Sequence, residues 1–269
     1  MIPKIIHYCW LSNDPYPQKI VECMESWHKY MPDYTIKRWS TQNFDINSVT
    51  LTQQAFNAKK WAFAADYIRA YALYTEGGIY LDSDVMLYGD LSKLLDSDFV
   101  SAVEHHPSEK DMIKNKSLLD SNFNRKTDKV KVLGIGIQAA VLASNKGHSL
   151  AKKVLDFYND FTLEEILTNN YTAPTVWAYN AESLGYRYID EEQLLSESVH
   201  LYPTEIISSS NQGSSKSIAI HWCEGSWLGG AKKLKKRIGK YKAYIVARDL
   251  LKVFMKKIKK RKEKDSYQR

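Results

Sequence analysis

Cysteine is scarce in this 269-residue chain. Cys9, Cys23 and Cys223 are the only three, and no two stand in a CxxC spacing. That excludes a disulfide framework and a structural zinc site built on thiolates, and it fits a reducing compartment. No run of 18 or more apolar residues occurs, so nothing is expected to cross a membrane as a helix. The opening Met1-Ile2-Pro3-Lys4-Ile5-Ile6-His7 lacks a charged n-region followed by a long apolar stretch. A secretory leader is therefore not expected, and the chain is expected to work in the cytoplasm. There is no Gly-rich phosphate loop near the first strand, and there are no internal repeats or low-complexity linkers.

What is present is a globular composition with an uneven charge. The 44% hydrophobic and 12% aromatic content suits a folded domain. The formal charge of +7 is misleading as an average. Between Lys232 and Lys264 there are 16 Lys or Arg against Asp249 and Glu263, a net of +14, whereas residues 1–231 carry 21 basic and 28 acidic side chains. The pattern predicts a main domain over 1–230 and a basic tail over 231–269.

Strand and helix patterns alternate along the main domain. Ile2–Trp10 reads as a buried strand followed by a Ser-Asn-Asp-Pro turn. Pro17–Tyr30 carries Ile20, Met24 and Trp27 at helical spacing, and Tyr34–Trp39 alternates as a strand. Ala55–Tyr74 reads as one helix with Gly77 as its C-cap. Ile79–Leu81 is a short strand running into Asp82-Ser83-Asp84, with Val85–Leu87 continuing it. Phe99–Val103 and Ile135–Leu142 are further strands, His148–Phe161 a helix, and the polar stretch 106–131 a mobile excursion. Such alternation predicts an α/β fold with a mainly parallel central sheet, in which ligands gather beyond the carboxyl ends of the strands.

Asp82 and Asp84 fall at such an end. On an extended segment, i and i+2 carboxylates share a side, and two anions aimed at one point call for a cation between them. Mn²⁺ or Mg²⁺, with hard oxygen ligands, is the natural occupant. D-x-D alone is also a common turn and capping pattern, so the surroundings decide its meaning.

Those surroundings are Ala65-Asp66-Tyr67-Ile68-Arg69 and Leu73-Tyr74-Thr75-Glu76-Gly77-Gly78-Ile79-Tyr80-Leu81-Asp82-Ser83-Asp84. This run resembles the signature of the family-32 glycosyltransferases, which include initiating α-mannosyltransferases and bacterial capsule-synthesis enzymes. Similar motifs occur in the catalytic domains of glucosylating toxins. Ile2–Trp10 is similar to that family's first strand, and His221-Trp222-Cys223-Glu224-Gly225-Ser226-Trp227 to its closing element. The resemblance is dense over residues 2–105 and sparse over 134–228. Thr172-Ala173-Pro174 departs from the family's usual Thr-Gly-Pro.

The resemblance implies a GT-A type, Rossmann-like fold for nucleotide-diphosphate sugars and transfer with retention of anomeric configuration. It implies Asp84 as direct metal ligand, Asp82 for ribose and a metal-bound water, and His221 as a further ligand. Asp66 and Arg69, on one helix face, would hold the donor sugar or phosphate, although an i,i+3 surface ion pair fits the same spacing. Trp10 would stack on the nucleobase or fill the core. Tyr80 would touch ribose or phosphate, or be a core tyrosine. Gln138 would face the donor sugar or acceptor, and Ser226 and Trp227 would close over the diphosphate.

The activity expected is hexosyl transfer from a nucleotide sugar, UDP-linked by preference, to a glycan or lipid-linked oligosaccharide in surface polysaccharide synthesis. A metal-dependent nucleotidyltransferase or phosphohydrolase, or a non-catalytic glycan- or membrane-binding protein, is the competing reading. In the tail, Ile238, Tyr241, Ile245, Leu251, Phe254 and Ile258 recur among Lys and Arg. That describes a basic amphipathic helix for an anionic membrane, with a peripheral position on the inner face of a bacterial cytoplasmic membrane as the expected location. A helix packed on its own domain is the bland alternative. A nucleic-acid arm is disfavoured for want of recognition motifs.

Overall fold

The computed structural model describes residues 1–129 and 131–223. Its chain order is β1 (Ile5–Cys9), α1 (Gln18–Tyr30), β2 (Thr35–Trp39), α2 (Thr50–Asn57), α3 (Trp61–Glu76), β3 (Gly78–Leu81), β4 (Val85–Leu87) and β5 (Phe99–His105). There follow α4 (Glu109–Leu118), β6 (Ile135–Ile137), β7 (Val141–Ser144), α5 (Ser149–Asn159), α6 (Leu163–Thr168) and α7 (Ala173–Ala181). The described part ends with β8 (Gln193–Leu195), β9 (Val199–Tyr202), β10 (Ile207–Ser209) and β11 (Ala219–His221).

The large sheet runs β2-β1-β3-β7-β5-β9-β8, with β6 paired to β5. β1 lies parallel to both β2 and β3, and β5 parallel to β9. β7 is antiparallel to both β3 and β5, so those two strands point the same way with one reversed strand between them. The sheet is therefore mixed: five of its eight strands run one way, and β6, β7 and β8 run the other. On one face lie α3, α5 and α7, burying Ala64, Ile68, Leu73, Leu150, Val154 and Trp177. On the other, Trp27 of α1 packs with Ile6, Tyr8, Ile79, Leu81 and Val85. The continuous apolar reading of β3 follows from cover on both faces.

The expected single helix over 55–74 is two. α2 stops at Ala58, Lys59 turns through a positive φ of 54°, and α3 restarts at Trp61. The Gly77 cap is present: its N–H donates to the Leu73 carbonyl at 2.9 Å, with φ of 70°. A Cβ at Gly77 would stand 2.6 Å from the Lys146 nitrogen, and one at Gly78 2.6 Å from the Ile5 carbonyl. Only glycine lets α3 turn this tightly into β3 beside β1. The turn is pegged by buried His7. Its Nε2 lies 2.7 Å from the Gly77 carbonyl, and its Nδ1 accepts from the Trp39 indole at 3.1 Å. Burial lowers the pKa of His7, which suits a neutral ring using both nitrogens.

Two strand expectations change. Val85–Leu87 does not prolong β3. It leaves through a turn closed by the Val85 N–H on the Asp82 carbonyl (2.9 Å) and joins a separate three-stranded sheet, β10-β11-β4. Ile135–Leu142 is likewise two strands, because the chain bends at Gln138–Ala140. Ser101 Oγ donates to the carbonyls of Gln138 and Val141, and Gln138 Oε1 accepts from the Ala140 N–H. The stretch 106–131, expected as a mobile excursion, contains regular structure. It holds α4, started by a Ser108/Asp111 capping box, and Arg125 ion-paired to Glu182. Residues 224–269, with Ser226, Trp227 and the expected tail helix, lie outside the described residues. Among the described residues no helix is long and apolar enough to cross a membrane.

Candidate active site

β1, β3 and β5 all end at one edge of the large sheet, and the candidate side chains collect there. Asp82 follows β3, and its N–H donates to the Ala140 carbonyl at 2.9 Å, which ties the carboxylate pair to the bend before β7. The 82–85 turn, not an extended pleat, makes Asp82 and Asp84 converge. β4 then pairs antiparallel with β11 and sets His221 opposite Val85, while the Trp222 N–H donates to the Asp84 carbonyl at 3.0 Å. A residue 137 positions further along the chain thereby enters the site.

His221 Nε2 lies 3.2 Å from Asp84 Oδ1 and 3.9 Å from Asp82 Oδ2. One ligand atom from each of the three residues falls within 4.8 Å of the other two. Burial favours a neutral His221 ring, but Asp84 outweighs it and holds the pKa well above the ordinary imidazole value. Positive charge is thus stabilised between the imidazole and the carboxylates. Two hard carboxylates and one imidazole suit Mn²⁺ or Mg²⁺, and a cation there would take the place of the imidazolium proton. Cys223 Sγ lies 3.3 Å from His221 Nδ1, which turns Nε2 toward the carboxylates. Sequence reasoning missed that contact, since Cys223 carries no motif of its own.

Asp66 and Arg69 are more than a surface pair. Arg69 is 5% exposed, and its Nη2 reaches Asp66 Oδ1 at 3.1 Å and Asp82 Oδ1 at 3.0 Å. Its Nη1 donates to the Ala139 carbonyl at 2.7 Å, and its guanidinium lies 5.0 Å from the Tyr80 ring centre. Burial opposes the Arg69 charge, yet Asp82 and Asp66 more than restore it and raise the pKa. The Arg69 Nε is buried without a hydrogen-bond partner among the described residues. Burial pushes the Asp66 carboxyl up to about 6; Arg69 pulls it down and Asp82 adds to the rise. α3 thus presents a charged, desolvated donor group to the carboxylate pair.

The remaining candidates divide. Trp10 sits just past β1, half-buried, its indole N–H donating to the Asp14 carbonyl at 3.1 Å and its ring 4.9 Å from Tyr16. Arg38 braces it by donating to the Trp10 carbonyl at 3.1 Å. Tyr80 is 1% exposed and lies beneath Arg69 in the core. Gln138 is also 1% exposed, and its side-chain oxygen Oε1 accepts from the Ala140 N–H, so it shapes the bend between Asp82 and β5. Thr172-Ala173-Pro174 opens α7 against β6, where a Cβ on Gly136 would stand 2.7 Å from the Pro174 carbonyl.

Comparison with known proteins finds similarity over part of the chain. Residues 17–101 match the family described as glycosyltransferase sugar-binding region containing DXD motif. The matched stretch includes Asp66, Arg69, Asp82 and Asp84. Among individual proteins, inositol phosphoceramide mannosyltransferase 3 of Schizosaccharomyces pombe (strain 972 / ATCC 24843) is 36% identical over 102 residues, 35% of this chain. The match spans 27% of that relative's length.

Two solved structures are similar at greater distance. The PaToxG glycosyltransferase has a TM-score of 0.47 and 15% identity, over 68% of this chain and 69% of its own. A glycosyltransferase involved in glycosylation of the major capsid of PBCV-1 has a TM-score of 0.41 and 12% identity, over 86% and 97%. Both are too distant to bear on substrate or mechanism.

Proposed function

We propose that this protein is a divalent-metal-dependent glycosyltransferase of GT-A type that moves a hexose from a nucleotide-diphosphate sugar, UDP-linked by preference, to a glycan or lipid-linked acceptor. One observation carries the reading: Asp82, Asp84 and His221 converge within 4.8 Å beside a buried Arg69 held by Asp66. Asp82, Asp84 and His221 would hold Mn²⁺ or Mg²⁺. When bound, the ion supplies Lewis-acid stabilisation of a departing diphosphate.

The chain's own residues do the rest. Arg69, fixed at both Nη atoms, presents positive charge to the donor without reorganising. Asp66 accepts hydrogen bonds from sugar hydroxyls and, at neutral pH, is ionised in spite of burial. Trp10 offers its ring to the nucleobase at the far end of the same edge. No carboxylate is assigned as a covalent nucleophile. Retention then follows from attack on the face from which the diphosphate leaves, with the acceptor proton passing to a diphosphate oxygen. Ser226 and Trp227 are proposed to close over the diphosphate. The basic tail is proposed to bind the anionic inner face of a cytoplasmic membrane, where a lipid-linked acceptor for surface polysaccharide would reside.

The test is nucleotide release from UDP-glucose, UDP-galactose and GDP-mannose with Mn²⁺, with Mg²⁺ and with EDTA. Release with at least one donor, abolished by EDTA and reduced roughly a hundredfold or more in Asp84→Ala, is expected. Full activity of Asp84→Ala in Mn²⁺ would overturn the metal assignment.

A further inference from the structure

The sheet edge that carries the site extends past the carboxylate pair to a group that no motif announced. β3 and β5 point the same way with β7 between them, so Asp82 and the end of β5 stand two strand spacings apart. At about 4.8 Å per spacing that is about 10 Å, enough to seat a pyranose ring. The floor between them is the 138–140 bend, fastened by Asp82 N–H on the Ala140 carbonyl and Gln138 N–H on the Ala102 carbonyl (2.8 Å). Two residues beyond Ala102 is Glu104.

Glu104 is an odd residue to find there. Its side chain is 16% exposed, and its only ion-pair partner among the described residues is His106, whose Nε2 is 3.3 Å from Oε1. No hydrogen bond among the described residues engages its carboxylate, whereas Asp66, Asp82 and Asp84 all meet charged partners in the site. Burial raises its pKa, and the charges it feels are those of His106, His221, Arg69 and Asp82, so it belongs electrostatically to the same crevice. A desolvated carboxylate with free lone pairs is costly to keep unless a ligand supplies donors.

The order along the edge gives that ligand a character. Trp10 follows β1, the carboxylate pair follows β3, the 138–140 bend leads into β7, and Glu104 is the last residue but one of β5. With a nucleotide at the first and a diphosphate at the second, the donor sugar lies over the bend, and Glu104 faces whatever attacks it. We propose that Glu104 is the acceptor-binding residue, accepting hydrogen bonds from hydroxyls of a sugar or other polyol acceptor. The assignment rests on the glycosyltransferase reading above. His106 holds the carboxylate in place from the solvent side.

The experiment measures KM for donor and for acceptor separately in wild type, Glu104→Gln and Glu104→Asp. UDP-glucose, UDP-galactose and GDP-mannose serve as donors, and methyl α- and β-hexopyranosides as acceptor probes. At least one hexoside should stimulate nucleotide release by wild type. Glu104→Gln should raise the acceptor KM roughly tenfold to a hundredfold relative to the donor KM, the range for a hydrogen bond to a charged group. Glu104→Asp, which keeps the charge, should fall between and guards against a folding defect in the amide variant. Equal changes in both KM values, or none, would overturn the assignment. So would donor hydrolysis in wild type that no hexoside stimulates. If wild type releases nucleotide from no donor, the glycosyltransferase reading itself has failed, a result distinct from either.

Discussion

Asp66→Asn is expected to make the protein more stable at pH 8 while impairing it as an enzyme. In the folded chain burial pushes the Asp66 carboxyl up to about 6, from the ordinary 3.8. The folded state therefore binds the proton more tightly than the unfolded one. Stability falls as pH rises between those two values, and the cost is complete above pH 6. The gap corresponds to about 3 kcal/mol. Asn carries no such cost and still offers Arg69 an acceptor oxygen, while Asp82 continues to neutralise the guanidinium.

The stability difference should widen in favour of the variant by about 2 kcal/mol between pH 4.5 and pH 8. Urea denaturation at both values, in EDTA so that no cation contributes, reads that difference directly. Donor turnover by the same variant should fall roughly a hundredfold if the carboxylate orients the sugar. A stability difference that stays constant with pH would refute the claim that Asp66 is held ionised against its burial.

Trp27 makes a second case, because its indole N–H donates to the Val85 carbonyl at 2.8 Å, directly after the carboxylate pair. Trp27→Phe leaves that buried carbonyl unpaired and should cost about 1–3 kcal/mol in chemical denaturation. Mn²⁺ should also protect the variant less against heat than it protects wild type; equal protection would show that β4 is not anchored through this bond. For the tail, deletion of residues 232–269 should abolish co-sedimentation with vesicles of 30% phosphatidylserine. Equal binding by both chains would sink the membrane proposal.

Much of the site was legible because local chemistry wrote it. Gly77 and Gly78 announce the tight α3–β3 turn, since no other residue fits the backbone approach there. Asp66 and Arg69 share a helix face by spacing alone. Asp82 and Asp84 stand where a buried strand meets the edge of its sheet. Boundaries failed where tertiary contacts override propensity. Lys59 breaks a helix that composition would have continued. Gln138–Ala140 bends because Ser101 and Asp82 bind its backbone, and neither bond leaves a trace in residues 135–142 themselves.

The sequence by itself determined the class of chemistry: paired hard carboxylates at a strand end, an acidic and a basic residue on the preceding helix, and a basic tail set apart by charge. Those properties reside in residue type and short spacing. Only the tertiary structure decided what the Asp82-Ser83-Asp84 turn faces. The β4–β11 pairing brings His221 to within 3.2 Å of Asp84. Arg69 becomes a buried bridge because the Ala139 carbonyl and Asp82 both lie within its reach. Glu104 gains meaning only from the antiparallel β7, which sets β3 and β5 two spacings apart on one edge. Contacts between residues so distant in the chain are fixed by strand order and register, which no short window of sequence contains.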